Sequence, residues 1–281
     1  MGSSNLSILK RRMKSIKNTM KINKAMSVIA NSKIQRCRAR SYTNEEYFRE
    51  LQKVMSYVFS MLDTDNKFTK KNKNDKSLYI VMTSDLGLCG GFNSNLYLAL
   101  ENQLEENGKD SPLIVCGQKG RDYARRRNFN TIAEYVEIPD IANLAETKEI
   151  LFKALKMYEN DEIGSIKLIY YKYESQLSKK IKVETLLPLS FEGMDEKDSN
   201  VEICSEIDIE ILIENYLYQF LLNCMLSNKI SEHSYRIEST NNAGKNGNDL
   251  LNKLNQKYNR ARQSSITNEI CEIIGGAEAL K

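Results

Sequence analysis

The amino-terminal part of the chain contains nothing that would end a helix. No proline or glycine occurs from Ser3 to Phe68, and apolar residues recur at spacings of three and four. They stand first at Leu9, Met13, Ile16 and Met20, and then at Ile22, Met26, Ile29, Ile34 and Cys37. This spacing predicts a single helix to about residue 62, with an apolar stripe that shifts partway along. A stripe this narrow requires a second long helix as its partner.

The carboxyl-terminal part offers that second helix, with one weak segment inside it. Apolar residues at helical spacing lie on both sides of the weak segment: Ile213, Leu217, Phe220, Leu221 and Cys224 before it, and Leu250, Leu251, Leu254, Tyr258 and Ala261 after it. From Ser231 to Asp249 the chain is polar and includes Gly244 and Gly247. Each glycine costs a helix interior about 1 kcal/mol relative to alanine, so these residues alone predict a loop.

The last residues of the chain form a patterned amphipathic segment. Ile266, Ile270, Ile273 and Ile274 fall on one side of a helix, and Glu269 and Glu272 fall on the other. The pattern predicts a helix with an apolar stripe. Taken alone, the simplest interpretation is a terminal helix that docks on its own domain.

The long amino-terminal helix is basic. From Met1 to Asn44 the chain has no acidic residue, and its basic residues there are Lys10, Arg11, Arg12, Lys14, Lys17, Lys21, Lys24, Lys33, Arg36, Arg38 and Arg40. Three interpretations are open: a solvated helix surface, an organelle transit peptide, or a surface that meets an acidic partner. The net charge of the whole chain is only +4, which does not indicate a nucleic-acid-binding protein. A nucleic-acid-binding α/β protein with a basic helical arm is kept as the alternative.

Composition leaves little room for a metal centre or a disulfide framework. The 6 cysteines are scattered without a C-x-x-C pair, and His233 is the only histidine. These counts argue against a zinc site, exclude a site that needs two histidines, and predict a reducing compartment. We interpret His233 as a surface or packing residue rather than a catalytic one. No run of residues is long and apolar enough for a membrane span.

Strands and helices alternate between the two helical ends. Strand-like runs lie at 77–83, 113–116, 132–136, 166–173 and 181–187, and helical runs lie at 94–105, 119–127 and 145–158. The alternation predicts a largely parallel open sheet with helices on its faces. Solvated loops are predicted on either side: a Lys- and Asn-rich segment at 67–76, and an acidic one from Glu192 to Glu214 that is not expected to be a paired-carboxylate active site. The predicted domains are 1–66, 67–192 and 193–281.

Three glycines follow the first strand of this region and invite a nucleotide-binding interpretation. Gly87, Gly90 and Gly91 are arranged as Gly-x-x-Gly-Gly, and the chain has neither a dinucleotide fingerprint nor a phosphate loop. We therefore interpret them as structural residues of a tight strand-to-helix turn, and we predict no bound cofactor. A nucleotide-dependent enzyme built on this turn is the second alternative.

Several segments resemble the gamma subunit of ATP synthase. At the carboxyl end these are Ala261-Arg262-Gln263, Ile266-Thr267, Glu269-Ile270 and Gly276-Ala277. Residues 12–26 resemble the family's amino-terminal helix, and residues 83–93, 117–122 and 186–189 resemble its central motifs. The resemblance covers nearly the whole chain. The family segment begins close to Met1, which argues against a transit peptide.

What the resemblance implies is a mechanical role. In that family, an antiparallel coiled coil of the two terminal helices joins a Rossmann-like α/β domain that binds no nucleotide. The helix pair passes through a ring of three alpha and three beta subunits, and the base contacts the epsilon subunit and the ring of c subunits. The resemblance therefore implies a rotor shaft without catalytic, cofactor or metal-binding residues, coupling ion-driven rotation to ATP synthesis or hydrolysis. It also implies a peripheral position on the cytoplasmic side of a bacterial membrane.

The matching positions imply which residues contact the surrounding ring. They are Lys24, Met26, Arg262, Gln263, Thr267 and Glu269. The resemblance further implies that residues 238–249 continue the second long helix, against the loop that their own composition predicts.

Overall fold

The computed structural model describes residues 2–61, 67–69, 72–176, 178–190 and 209–278. Its elements are α1 (Gly2–Met61), β1 (Ser77–Met82), α2 (Phe92–Asn107), β2 (Leu113–Cys116), α3 (Gln118–Arg127), β3 (Thr131–Tyr135), α4 (Leu144–Glu159), β4 (Ser165–Tyr173), β5 (Lys179–Leu187) and α5 (Ile209–Glu278). Every predicted strand and helix is present, and the predicted α/β class with two long terminal helices is confirmed. Most of the acidic segment predicted as a loop lies outside the described residues.

The chain divides into two compact units. One comprises residues 31–235 and contains the sheet, whereas the other comprises residues 1–30 and 236–281. The predicted boundaries after residues 66 and 192 fall beside or within segments outside the described residues, so they stay predictions. Across the described part of the chain, no helix is both long enough and apolar enough to cross a membrane.

The sheet has five strands in the order β3-β2-β1-β4-β5. The pairs β1–β2, β1–β4 and β2–β3 are parallel, and β5 runs antiparallel to β4 at one edge. All six residues of β1 are buried, as expected for a central strand covered on both faces. Leu78, Ile80 and Met82 face the core layer that contains α4 and α5, while Tyr79 and Val81 face α2 and α3.

The Lys- and Asn-rich segment before β1 is less exposed than its composition predicts. Phe68 is 1% exposed and belongs to the core layer on the α4 side. Its carbonyl accepts a hydrogen bond from the Leu189 backbone N–H at 2.8 Å. Asn72 Nδ2 donates to the carbonyl oxygens of Tyr158 at 2.7 Å and Ile163 at 3.0 Å. The prediction of a solvated loop is therefore wrong at these two residues, because an aromatic ring and an amide fasten the segment to the domain.

Within residues 31–235, α1 and α5 pack together as antiparallel helices. Phe48 stacks on Tyr216 with ring centroids 5.4 Å apart, and it meets the edge of Phe220 at 5.7 Å. One side of α1 is buried at alternating spacings of three and four, at Ile34, Cys37, Ser41, Asn44, Phe48, Leu51, Met55 and Val58. This is the heptad spacing of a coiled coil.

The same spacing continues in the unit of residues 1–30 and 236–281. The residues that continue this spacing are all buried or half-buried: Leu6, Leu9, Met13, Ile16, Met20, Asn23, Ser27 and Ala30 on α1, and Ile237, Thr240, Gly244, Gly247, Leu251, Leu254, Tyr258, Ala261 and Ser265 on α5. Ser27 Oγ donates to Asn241 Oδ1 at 3.2 Å, and Met20 lies against Gly247. As α1 numbers fall the α5 numbers rise, so this pair is also antiparallel. We call these two lines of residues the seam.

The predicted shift of the apolar stripe along α1 is wrong. Ile22 is 60% exposed and Ile29 is 49% exposed, whereas Asn23 is only 9% exposed. The seam keeps its 3.5-residue repeat and accepts polar residues at Asn23 and Ser27. The periodicity of the helix pair, rather than the hydrophobicity of each residue, decides which side is buried.

Residues 238–249 are helical, and α5 runs without a break from Ile209 to Glu278. The loop predicted from local composition is wrong, and the continuous helix implied by the resemblance is confirmed. Gly244 and Gly247 lie on the seam, and at Gly247 the absence of a side chain lets Met20 of α1 approach closely. Packing against α1 therefore offsets the low helix propensity of this segment.

The two seam glycines are expected to respond in opposite ways to alanine. A Cβ at residue 244 would have no atom within 4 Å, whereas one at residue 247 would lie 2.8 Å from Met20 Cγ. We predict that Gly244→Ala stabilises the helix by about 1 kcal/mol. Gly247→Ala should lose that gain, because overpacking of this kind costs about 1–3 kcal/mol. Amide hydrogen exchange across residues 238–248 reports the stability of this part of α5 in each variant. Equal protection in the two variants would contradict the packing of Met20 against Gly247.

Candidate functional site

The turn after β1 is held together by its own side chains. Thr83 Oγ1 donates to the Cys116 carbonyl at 2.7 Å and accepts from the Gly120 backbone N–H at 2.8 Å. The Ser84 backbone N–H donates to Asn93 Oδ1 at 3.1 Å, and Asn93 Nδ2 donates to Ser84 Oγ at 2.8 Å. The polar residues of this motif therefore bond to one another and to the start of α3.

Asp85 occupies the amino terminus of α3. Its Oδ1 accepts from the backbone N–H groups of Gln118 and Glu137, each at 3.0 Å. In nucleotide-binding α/β domains, a phosphate group takes such a position at a helix amino terminus beyond the sheet. Here the chain's own carboxylate fills it, which gives a physical reason to interpret the turn as structural.

Lys229 of α5 lies beside this carboxylate. Its Nζ is 3.9 Å from Asp85 Oδ2 and 3.3 Å from Glu232 Oε2. Burial alone would lower the pKa of the Lys229 ammonium, but the nearby carboxylates of Glu232 and Asp85 outweigh burial and raise it. The lysine therefore stays charged, and it links α5 electrostatically to the turn after β1.

The glycines of this region do not share one role. Gly90 has a φ of 56°, which favours glycine, while Gly87 and Gly91 would each admit a Cβ at ordinary contact distance. Closer packing is found at Gly117 and Gly120, where a Cβ would lie 2.5 Å from Thr83 atoms. Sequence reasoning singled out the first three glycines as turn residues and missed the packing role of the other two.

His233 is part of a buried ionic cluster with Asp140. His233 is 2% exposed, and its Nε2 lies 2.8 Å from Asp140 Oδ1. Lys33 Nζ of α1 lies 2.8 Å from Asp140 Oδ2, and Cys37 Sγ donates to the Asp140 carbonyl at 3.3 Å. The packing interpretation of His233 is confirmed and the surface interpretation is wrong. Asp140 thereby joins α1, α5 and the loop after β3.

This cluster changes the acidity of Asp140. Burial alone would raise the pKa of the Asp140 carboxyl, but its hydrogen bonds with His233 and Lys33 outweigh burial and hold that pKa well below its usual range. Nothing in the sequence pointed to Asp140, because 93 residues separate it from His233. Only the folded chain brings the two together.

The residues implied as ring contacts lie on the exposed sides of the two long helices. Lys24 is exposed and Met26 is half-buried on α1, and Arg262, Gln263, Thr267 and Glu269 are all exposed on α5. Thr267 Oγ1 donates to the Gln263 carbonyl at 2.9 Å, and Ser265 Oγ donates to Glu269 Oε1 at 3.3 Å. Their placement leaves these side chains accessible to a partner.

The final turns of α5 carry an apolar stripe that the described residues of this chain do not cover. Every residue from 266 to 277 is exposed. The exposed fractions are 46% for Ile266, 51% for Ile270, 71% for Ile273 and 58% for Ile274. The expectation that this helix docks on its own domain is therefore wrong. A contiguous exposed apolar surface of this kind marks an interaction site.

Comparison with known proteins gives the family. A family model described as ATP synthase matches residues 5–280. The ATP synthase gamma chain of Clostridium kluyveri is 42% identical over 283 residues, and that of Clostridium acetobutylicum is 43% identical over 282 residues. Each alignment covers 100% of both chains. The chain belongs to the ATP synthase gamma chain family.

Solved structures show the same fold. The rotor of the Euglena gracilis mitochondrial ATP synthase has a TM-score of 0.70 at 16% identity, covering 94% of this chain and 99% of that chain. The central stalk and c-ring structure from Tetrahymena thermophila gives a TM-score of 0.60 at 22% identity, covering 79% and 99%. Family membership accounts for the long helix pair and the sheet together. Neither the nucleic-acid-binding alternative nor the nucleotide-dependent enzyme is supported by these matches.

Removing the charge of Asp140 should weaken the sheet-containing unit in a pH-dependent way. At pH 7 we predict that Asp140→Asn lowers the free energy of unfolding by about 1–3 kcal/mol, less than for a fully buried pair because Lys33 is partly exposed. An acid whose folded pKa is depressed stabilises the fold above its unfolded pKa of about 4, and this stability is lost as the pH falls through the folded pKa. The difference in the free energy of unfolding between wild type and variant should therefore become smaller below about pH 4. Urea unfolding of the full chain from pH 7 to pH 3 measures this difference. A difference that does not change with pH would contradict the role given to Asp140.

Proposed function

We propose that this gamma-family chain is the central rotor shaft of an ATP synthase, coupling ion-driven rotation to conformational changes of catalytic beta subunits. The observation that carries the proposal is the end of α5, where a continuous helix presents a stripe of isoleucines that no other described residue covers, beside the polar residues Arg262 and Gln263. A ring of three alpha and three beta subunits around one copy of the chain would cover that stripe. The chain itself carries no catalytic role in this account.

A single helix pair inside a threefold ring presents a different side to each surrounding subunit. Only such differences in contact can shift the conformational equilibrium of a beta subunit. Moving a two-state equilibrium from 1:99 to 99:1 requires about 5.5 kcal/mol. The four isoleucines at the tip of α5, Ile266, Ile270, Ile273 and Ile274, are between 46% and 71% exposed. Completing their burial would contribute on the order of 3–6 kcal/mol, at 1.5–3 kcal/mol per fully buried side chain. Burial of this stripe is thus of the magnitude required, and the part of it that differs between beta-subunit states would bias one of them.

Polar side chains would make the contact with the alpha and beta subunits directional. Lys24 and Met26 on α1, with Arg262, Gln263, Thr267 and Glu269 on α5, are the proposed contacts to alpha and beta subunits. The arginine can make charge-assisted hydrogen bonds to acidic loops, which are stronger and more directional than neutral ones. The basic, acid-free face of α1 suits acidic partner surfaces in the same way.

The sheet-containing unit is the proposed base. We propose that it contacts the epsilon subunit and the ring of c subunits, and that the chain sits peripherally on the cytoplasmic side of a bacterial membrane. The relatives are bacterial gamma chains, and the Tetrahymena structure is described as a central stalk with its c-ring. The motif residues Thr83, Ser84 and Asp85 are engaged in internal hydrogen bonds, consistent with a scaffold role for the domain.

Loss of the polar contacts at the tip should slow the complex without unfolding this chain. In a complex made by co-expression with alpha and beta subunits, Arg262→Ala with Gln263→Ala is predicted to lower ATPase turnover about tenfold. Lost hydrogen bonds to charged groups are worth about 1.5–3 kcal/mol, and 1.4 kcal/mol corresponds to tenfold in rate. Turnover of the purified complex, which should contain one copy of this chain per three alpha and three beta subunits, is the measurement.

A matched control removes the same residue types at nearby exposed positions of α5. Gln256 and Arg260 are exposed on α5 but are not among the proposed ring contacts. Gln256→Ala with Arg260→Ala should retain most of the turnover, and both double variants should keep the helical circular dichroism of the parent. If turnover of the Arg262 and Gln263 variant is unchanged, these residues have no part in coupling.

A further inference from the structure

The parallel pairing of β1 with β4 ends before β4 does. The last paired residues are Val81 and Ile169, and β1 stops at Met82, whereas β4 continues to Tyr173. The backbone N–H groups of Tyr171 and Tyr173 therefore extend past the end of their neighbour. Buried groups of this kind need other partners, because an unpaired buried N–H is costly.

Two consecutive side chains of α5 supply those partners. Asn228 Oδ1 accepts from the Tyr171 N–H at 3.0 Å, and Asn228 Nδ2 donates to the Met82 carbonyl at 3.1 Å. Ser227 Oγ accepts from the Tyr173 N–H at 2.8 Å. Asn228 is 2% exposed. Its side-chain amide takes the place of a peptide group, bridging β1 and β4 where the ladder has ended.

The other contacts between α5 and the sheet are mostly of a different kind. Leu217, Leu221 and Met225 belong to the apolar core layer on that side. Apolar burial is non-directional, so it constrains the angle of a helix about its own axis less sharply than hydrogen bonds do. The hydrogen bonds that join the side chains of Ser227 and Asn228 to backbone groups of the sheet are directional, and they constrain both that angle and the axial position of the helix.

We propose that Ser227 and Asn228 are the positioning residues that pass torque between the sheet and α5. This inference rests on the rotor function proposed above. Because α5 is one unbroken helix from Ile209 to Glu278, a twist imposed on it at residues 227 and 228 is carried along its backbone hydrogen bonds toward the tip. Without these two side chains, α5 would keep its apolar packing and its links at Asp140 and Lys179, but it would lose its hydrogen bonds to the ends of β1 and β4.

The test uses single complexes with alpha and beta subunits, fixed to a surface through the ring, with a probe attached to the base. At low ATP the probe pauses between steps, and its angular variance during a pause reports the torsional softness of the link. Ser227→Ala with Asn228→Ala should raise that variance by roughly a factor of two, because the directional bonds are lost while apolar packing remains. Unloaded ATP turnover should stay close to that of the parent.

A matched variant separates positioning from general loss of stability. Ser231 is buried one turn along the same helix, and its Oγ donates to the Ser227 carbonyl of its own helix at 3.0 Å. Ser231→Ala is the same kind of change without loss of a bond to the sheet, and it should leave the variance unchanged. Where the double variant does not assemble, Ser227→Ala alone is tested, because Ser227 and Tyr173 are only half-buried and the loss of their hydrogen bond is less disruptive than the loss of the buried Asn228.

The outcomes separate this inference from the function on which it rests. A parent complex that hydrolyses ATP without moving the probe would overturn both. A rotating parent with equal variance in Ser227→Ala, Ser231→Ala and the double variant would overturn the positioning role alone. Increased variance confined to the variants that lose bonds to the sheet supports it.

Discussion

The seam between α1 and α5 is the contact on which the rest of the structure depends. Helices as long and as polar on the outside as these are marginal alone, so each holds its shape by burying a narrow stripe against the other. The strict 3.5-residue repeat explains why Asn23 is buried while Ile22 is exposed. It also explains why Gly244 and Gly247 are tolerated in the middle of α5. Polar and small residues on a seam lower stability but define register, which suits a shaft that must not slide.

A second constraint is that side chains of this protein occupy the carboxyl-terminal edge of its Rossmann-like sheet. Asp85 binds the amino terminus of α3, and Asn228 of α5 bridges the ends of β1 and β4. In a nucleotide-binding relative of this architecture, ligands enter at these two places. Here they are filled by side chains that attach the base to the long helix. The part of the sheet that binds ligands in such proteins thus connects the sheet to α5 here, in agreement with a family whose function is rotation.

The sequence allowed much of the fold to be predicted, for reasons that differ between regions. Alternating strands and helices gave the sheet, and the motif at residues 261–270 pointed to the family. Contacts between distant segments could not be predicted: Asp140 with His233, Phe68 inside the core, and Gly120 against Thr83. None of these leaves a local periodic signal, because each depends on where the folded backbone brings the partner. Five of the six residues proposed as ring contacts are exposed and Met26 is half-buried, and the partners proposed for them belong to other subunits.

The most direct test of a rotating shaft uses the tip itself. Cys271 is exposed near the end of α5, whereas Cys37, Cys89, Cys116 and Cys224 are buried, and Cys204→Ser would remove the remaining thiol. A dye fixed rigidly at Cys271 in a surface-bound complex with alpha and beta subunits reports the orientation of α5 by fluorescence polarisation. During ATP hydrolysis we predict reorientation in thirds of a turn, one for each alpha–beta pair. Sustained hydrolysis with a stationary dye would contradict the account.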